Sequence, residues 1–242
     1  MIVYGRNPVR EAIRGPRTVI QVWATKNAAR ETWLRHPSSP VTVCAADQIE
    51  RRCGSQAHQG VCAEVEPFRY ADAGAALATS DPLIVALDEV QDPQNLGAIC
   101  RTAECAGVAA VVIPERRSAE VTPAVCKASA GAVEHLPIAR VRNLGDFLRD
   151  AKEAGMWCYG ADGGADLAYD AVDYRGSVVI VLGSEGRGLR PRVATSCDAL
   201  VAIPVHGRIE SLSVSAAAAV LLYAADSRRA DAGMNAVQRR RG

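Results

Sequence analysis

No stretch of this 242-residue chain is apolar over the roughly 18 uninterrupted residues that a membrane helix needs. Its opening Met-Ile-Val-Tyr-Gly-Arg-Asn-Pro lacks the apolar run of a signal peptide. A cytoplasmic location with no membrane partner is therefore the expectation. No Cys-x-x-Cys pair occurs among the 8 cysteines, which disfavours zinc and thioredoxin chemistry. Cys53, His58 and Cys62 match no recognised ligand spacing, so no metal site is expected. The cysteines read instead as buried, reduced, small hydrophobes. Neither Gly-x-Gly-x-x-Gly nor Gly-x-x-x-x-Gly-Lys-Ser/Thr appears, which removes the usual dinucleotide and P-loop assignments. Internal repeats and low-complexity tracts are also missing.

Charge of one sign is not in excess: the net charge is +1, so bulk electrostatics do not mark a nucleic-acid binder. Its distribution carries more. Arg6, Arg10, Arg14 and Arg17 cluster near the start, and Arg228, Arg229, Arg239, Arg240 and Arg241 near the end. Such clusters either contact phosphates or form solvated faces. Only Lys26, Lys127 and Lys152 are lysines, a bias that a GC-rich genome is enough to explain.

What is present is an ordinary globular composition, 49% hydrophobic and 23% charged, long enough for one large or two modest domains. Residues 1–67 alternate short signals: β-rich at 18–25, helix-like at 26–35, strand-like at 41–44, helix-like at 46–52 and strand-like at 61–65. Residues 68–81, rich in Ala with Asp, Gly, Ser and Thr between Pro67 and Pro82, read as a linker. From residue 82 apolar runs recur at 83–87, 109–113, 157–159, 178–182 and 199–203, separated by helix-length stretches. Parallel strands buried on both faces give that pattern, and the fold class is α/β. The Ala-rich segment 211–225 reads as a tightly packed helix.

Three segments follow such runs and lead into helical patterns: Asp92 to Glu104, Leu182 to Leu189, and Ile203 to Ser215. Loops at the carboxyl ends of parallel strands are where open α/β sheets bind ligands. In the first, Asn95 is placed to cap the following helix. Arg101, nearly two turns on among Gly97, Ala98, Ile99 and Ala103, needs a partner, either Glu104 or Glu185 in an ion pair or a bound phosphate. In the second, Gly183 and its fellow glycines let backbone approach a ligand, or simply end the strand. In the third, Ser211 is a natural N-cap, and His206 reads as a solvated loop histidine.

In this order and spacing the segments resemble the SpoU/TrmH family of RNA ribose 2′-O-methyltransferases, whose pattern is Asn-x-Gly-x-x-x-Arg, Gly-x-Glu-x-x-Gly and Ile-Pro-Met-x-Gly-x-x-x-Ser-Leu-Asn-Val-Ser. Tyr4-Gly-Arg-Asn-Pro-Val, His58-Gln-Gly-Val and Gly131-Ala-Val-Glu-His135 look like the bacterial large-subunit rRNA guanosine 2′-O-methyltransferases, the RlmB-like group. The resemblance spans nearly the whole chain. It implies an L30e-like RNA-binding domain at 1–67 and, at 82–242, a SPOUT domain with a mostly parallel sheet and a C-terminal trefoil knot. True knots are almost absent from proteins, so composition alone could not have suggested one.

The same resemblance implies a homodimer acting on RNA, not DNA, with S-adenosylmethionine as cofactor. Leu182, Gly183, Gly188, Ile203, Val205 and Leu212 would hold the cofactor. Asn95, Arg101, Glu185, Ser211 and Ser213 would form the reaction site, with Arg6, Arg10 and Arg101 touching RNA. Glu185 would hold Arg101, which would orient the ribose and its adjacent phosphate. Two positions depart from the family pattern: Ser213 stands where Asn is usual, and Val205 where Met is usual. A tRNA or another rRNA nucleotide is the nearest alternative substrate. A non-catalytic RNA-binding or ribosome-assembly factor is suggested by Ser213 and opposed by Asn95, Arg101 and Glu185, and a nucleotide-dependent oxidoreductase is opposed by the missing fingerprint.

Overall fold

The computed structural model describes residues 1–35, 39–209 and 211–239, with 230–239 as backbone only. The amino-terminal unit runs β1 (Ile2–Tyr4), α1 (Arg6–Arg14), β2 (Val19–Ala24), β3 (Val41–Val43), α2 (Ala46–Cys53) and β4 (Val61–Val65). Its four strands lie in the order β1-β4-β2-β3. Central β4 is antiparallel to both neighbours, and β2 is parallel to β3. The expected helix at 26–35 is absent. Two 3₁₀ turns, Ala28–Arg30 and Thr32–Leu34, stand there instead, split at Glu31 by extended backbone (φ −59°, ψ 137°). Runs this short keep i→i+3 bonding rather than growing an α-helix.

Residues 68–81 are not a free tether. Ala71 pairs in parallel with Ala139, and the Tyr70 hydroxyl accepts the Val121 N–H at 3.0 Å. Asp72 caps the short helix α3 (Ala73–Leu77), accepting from Gly74 N at 2.6 Å and Ala75 N at 3.3 Å. The larger unit then runs β5 (Leu83–Leu87), α4 (Pro93–Cys105), β6 (Ala110–Pro114), α5 (Pro123–Ala128), β7 (Ile138–Val141) and α6 (Leu144–Glu153). It continues through β8 (Trp157–Ala161), β9 (Val178–Leu182), α7 (Pro191–Ala194), β10 (Ala199–Val201) and α8 (Val214–Arg239).

Its six strands are all parallel, in the order β10-β8-β9-β5-β6-β7. β5 and β9 are buried at every residue, which is why both read as unbroken apolar runs. β7 lacks such a run because Arg140 interrupts it at the sheet edge. The chain leaves β5 toward β6 and β7, then returns to the opposite side through β8, β9 and β10. The order therefore reverses between β5 and β9, the crevice where open α/β sheets take their ligands.

The two units share one apolar core, in which Val3 and Val9 join Val125, Cys126 and Val133. A buried ion pair crosses the seam. Arg17, its side chain 7% exposed, meets Glu134, 2% exposed. Arg17 Nε donates to Glu134 Oε2 at 3.0 Å, another nitrogen donates to the Glu66 carbonyl at 3.2 Å, and the guanidinium lies 5.7 Å from the Phe68 ring centre. Beside it Glu11 accepts from His135 Nε2 at 3.1 Å. Burial raises the Glu11 carboxyl, but Arg10, His135 and Arg14 outweigh it and hold its pKa below the ordinary value.

Removing one partner of a buried pair strands the other charge. Glu134→Ala should therefore cost about 3–5 kcal/mol in urea unfolding, and the double change Arg17→Met with Glu134→Leu much less. A loss from Glu134→Ala below about 1 kcal/mol would remove this pair from the account of how the units dock.

Candidate active site

At the β5/β9 crevice lies a cavity of about 350 Å³, bounded by Glu89, Asp92, Asn95, Ser184, Glu185 and Val214 among others. Three elements build it. The turn after β5 leads into α4, the loop after β9 supplies Ser184 and Glu185, and the first residue of α8 closes one side.

The loop after β9 folds on itself. Ser184 and Gly188 exchange backbone hydrogen bonds at 3.1 and 3.0 Å. A Cβ at Gly183 would fall 2.1 Å from the Gly188 carbonyl carbon and 2.4 Å from Leu189 N. Gly183 is therefore required by the loop's own return, a use not foreseen in the expectation of close approach to a ligand. Leu182 is buried, and its carbonyl accepts the Asp88 N–H at 2.7 Å.

Asp88 fixes the far end of this loop. Fully buried where β5 ends, its carboxylate accepts from Arg190 N and Arg190 Nε, both at 2.8 Å. A third bond from Arg190 measures 2.6 Å, and Arg190 also reaches Glu89 at 3.4 Å. The bond to Asp88 raises the Arg190 guanidinium pKa, against the lowering effect of its burial. The sequence motifs missed Asp88 and Glu89. Their one visible signal was a pair of carboxylates directly after the apolar run 83–87.

In α4 the N-cap is Asp92, which accepts from Gln94 N at 3.1 Å. Asn95 does not cap the helix, so its side chain is left for the cavity it lines. A Cβ at Gly97 would come within 2.4 Å of the Ala128 Cβ, so this glycine lets α4 and α5 pack closely. Arg101 is exposed and lies outside the cavity lining. Among the described residues it makes no ion pair, and neither the Glu104 nor the Glu185 partner is present.

Residues 82–223 match the SpoU rRNA Methylase family, and residues 2–71 match the family described as RNA 2′-O ribose methyltransferase substrate binding. The chain belongs to the SpoU methylase family. It is 35% identical over 232 residues to a putative TrmH family tRNA/rRNA methyltransferase of Bacillus subtilis, covering 91% of this chain and 93% of that protein. To an uncharacterised tRNA/rRNA methyltransferase of Synechocystis it is 37% identical, covering 92% of this chain but 61% of the relative's length.

Among the crystal structures that share the fold are two with AdoMet bound. The SpoU methyltransferase AviRb of Streptomyces viridochromogenes, in complex with AdoMet, superposes with a TM-score of 0.79 at 25% identity, covering 94% of this chain and 89% of that one. An AdoMet-bound rRNA methyltransferase of Sinorhizobium meliloti superposes with a TM-score of 0.77 at 27% identity, covering 93% and 85%.

The third SpoU motif corrects one expectation. Ser213, not Ser211, caps α8: its hydroxyl accepts Ala216 N at 3.2 Å and its carbonyl accepts Ala217 N at 2.9 Å. Ser211, Leu212 and Ser213 are exposed, as are Val205 and His206, while Ile203 is half-buried.

The terminal arginines are largely engaged within the protein. Arg6 pairs with Glu31 at 3.1 Å, Arg10 with Glu11 at 2.8 Å and Arg14 with Glu11 at 3.5 Å. Arg228 donates to the Asp170 carbonyl at 3.1 Å, and Arg229 donates to the carbonyls of Asp81, Tyr174 and Gly176. The Arg239 side chain, Arg240 and Arg241 lie outside the described residues.

Among the described residues no group of three metal-binding side chains occurs, and the cysteines are unpaired. Burial pushes the Cys62, Cys100, Cys158 and Cys197 thiols up to about 12 and Cys126 up to about 11. At neutral pH these are thiols, not the thiolates that ligate or attack. Cys105 is exposed, so the reading of all eight as buried holds only in part.

If Ser213 is the cap, Ser213→Ala should lower stability by about 1 kcal/mol and Ser213→Asn should leave it nearly unchanged, by urea unfolding. Equal losses in both variants would refute the capping role. Gly183→Ala should destabilise by more, about 2 kcal/mol or above, because backbone must move to admit the methyl group.

Proposed function

We propose that this RNA methyltransferase uses S-adenosylmethionine to methylate a ribose 2′-hydroxyl of RNA, at a guanosine of 23S large-subunit rRNA. The observation that carries this reading is the cavity at the β5/β9 reversal, walled by Asn95 of the first motif, Glu185 of the second and Val214 of the third. Three segments distant in sequence meet there in a family whose chemistry is RNA methylation. The cofactor supplies an electrophilic methyl group on a sulfonium.

The residues present fit that group. The cavity's size falls within the few hundred Å³ of small-molecule sites. The segment between β10 and α8 exposes Val205 (44%), Ile209 (75%) and Leu212 (45%), apolar surface that an adenine ring would cover. None of the six expected cofactor residues lines the cavity itself: Leu182, Gly183 and Gly188 belong to the β9 strand end and its glycine loop, and Ile203, Val205 and Leu212 to the segment before α8, from which this reading has them meet the cofactor. The family's trefoil knot would hold these segments together.

The chain has to orient a ribose and stabilise the charge that grows on its 2′-oxygen. Asn95 and Glu185 offer hydrogen bonds inside the cavity, and Ser211, exposed in the segment before α8, is proposed to join them. Arg101, exposed and without an ion pair among the described residues, is available to the ribose and its neighbouring phosphate. A guanidinium has no lone pair to offer, so Arg101 places charge and does not take the hydroxyl proton.

The amino-terminal unit, with Arg6 and Arg10, is the proposed RNA-recognition domain, in line with its family match. A homodimer working in the cytoplasm completes the proposal. No described helix is long and apolar enough to cross a membrane.

The test is transfer of labelled methyl from S-adenosylmethionine to unmodified large-subunit rRNA, small-subunit rRNA and tRNA. Label should enter large-subunit rRNA and survive alkali in a dinucleotide, and Arg101→Ala should lower kcat/KM by about 10²–10³. Label released by alkali in a mononucleotide would end the 2′-O assignment. Label confined to tRNA would end the large-subunit assignment.

A further inference from the structure

A second and larger cavity, about 820 Å³, opens on the same carboxyl-end face of the sheet, beyond β6 and β7. Pro114 ends β6 at its floor, and Arg142 follows β7 directly. Six of its lining residues are arginines, against two carboxylates, Glu89 and Asp146. Three of these arginines are engaged: Arg117 with Glu89 at 3.3 Å, Arg149 with Asp146 at 3.0 Å, and Arg190 with Asp88 at 2.6 Å. The other three, Arg116, Arg142 and Arg192, are exposed and make no ion pair among the described residues.

Two further features favour an anion here. The ten-residue helix α6 starts in the cavity wall, with Asn143 capping it through Gly145 N at 2.9 Å. Its free N–H groups and positive dipole end therefore face the groove. Glu89 borders both cavities, so the groove adjoins the candidate reaction site.

We infer that this groove is a track for the RNA backbone, in which Arg116, Arg142 and Arg192 hold phosphodiester groups of the strand flanking the target ribose. The inference rests on the reading of the chain as an RNA methyltransferase and adds a binding surface that lies outside the three sequence motifs. Unpaired guanidiniums spread along a concave wall suit several phosphates in a row, because each can form a forked pair with phosphate oxygens. A small anion would need only one of them. The arginines at the two ends of the chain, by contrast, are mostly spent on carboxylates and backbone carbonyls within the protein.

The experiment compares wild type with Arg116→Ala/Arg142→Ala/Arg192→Ala, with the matching triple Arg→Lys variant and, as a control, with Arg175→Ala, an exposed arginine paired with Asp173 on another face. Filter binding to large-subunit rRNA is read across salt concentrations, alongside S-adenosylmethionine affinity, methyl-transfer kinetics and thermal melting.

The triple Ala variant should melt and bind S-adenosylmethionine like wild type. Its slope of log affinity against log salt should flatten by about 2, and its KM for RNA should rise about tenfold or more with kcat nearly unchanged. The Lys variant should recover most of the slope, since it keeps the charge, and Arg175→Ala should match wild type. Inorganic phosphate at equal ionic strength should not displace the RNA; displacement would assign the groove to a single small anion and overturn the track. An unchanged slope and KM in the triple Ala variant would also overturn it while leaving RNA methylation standing. A wild type that binds S-adenosylmethionine but neither binds nor methylates any RNA would overturn both. Should the triple Ala variant melt early, the three single variants carry the comparison, each expected to flatten the slope by a little under 1.

Discussion

The pair between Asp88 and Arg190 holds the site together. A fully buried carboxylate at the end of a central strand is expensive unless it is saturated with donors. Here it takes the backbone N–H of Arg190 and a forked guanidinium from the same residue. This closes the segment from Leu182 to Arg190 at both ends, because the Asp88 N–H also bonds back to the Leu182 carbonyl. The glycine loop is thus a short hairpin pinned to the strand beside it. Arg190 reaches Glu89 as well, and Glu89 stands between the two cavities. One salt-bridged cluster therefore sets the shape of the motif loop, the wall of the candidate reaction site and the start of the basic groove.

A second constraint governs where positive charge is free. Nearly balanced composition leaves little surplus, so the deployment of each arginine matters more than the total. The amino-terminal arginines lie on or beside α1, where Glu11, Glu31 and Glu134 meet them, and Arg17 is committed to the seam between the units. Arg229 serves as a strap from α8 to three carbonyls elsewhere in the chain. Arg116, Arg142 and Arg192 follow strands or start a short helix, where no carboxylate of the same element answers them. Clustering along the sequence was therefore a poor guide to available charge.

Much of the fold was legible because buried parallel strands leave little choice of residue. The runs 83–87 and 178–182 coincide with β5 and β9, both interior strands buried at every position. β7 was not legible, since an edge strand tolerates Arg140, and β1 is only three residues long. The stretch 26–35 has helix-forming residues but ends as two 3₁₀ turns, because extended backbone at Glu31 breaks the continuity that an α-helix requires. At the site, the motifs led to Asn95 and Glu185, which line one cavity, and to Gly183, whose reason for being glycine proved to be its own loop. Asp88, Glu89 and the groove arginines were invisible in that reading, since their roles depend on which strands become neighbours.

The departure at Ser213 takes its meaning from the start of α8. Serine in place of the family's usual Asn was the one sequence feature that suggested a non-catalytic factor. Position 213 turns out to be the residue whose side chain and carbonyl receive the first N–H groups of α8. Asn and Ser are among the few side chains that perform this task about equally well, each offering a short-range oxygen acceptor. The substitution therefore exchanges one capping oxygen for another and keeps α8 starting at Val214, which forms part of the cavity wall. What changes is the amide's donor pair, which a hydroxyl replaces with a single hydrogen, here able to engage Ser215 at 3.2 Å. The oxygen acceptor that starts α8 is therefore kept at position 213, and the difference between the two side chains is confined to what the amide would have donated.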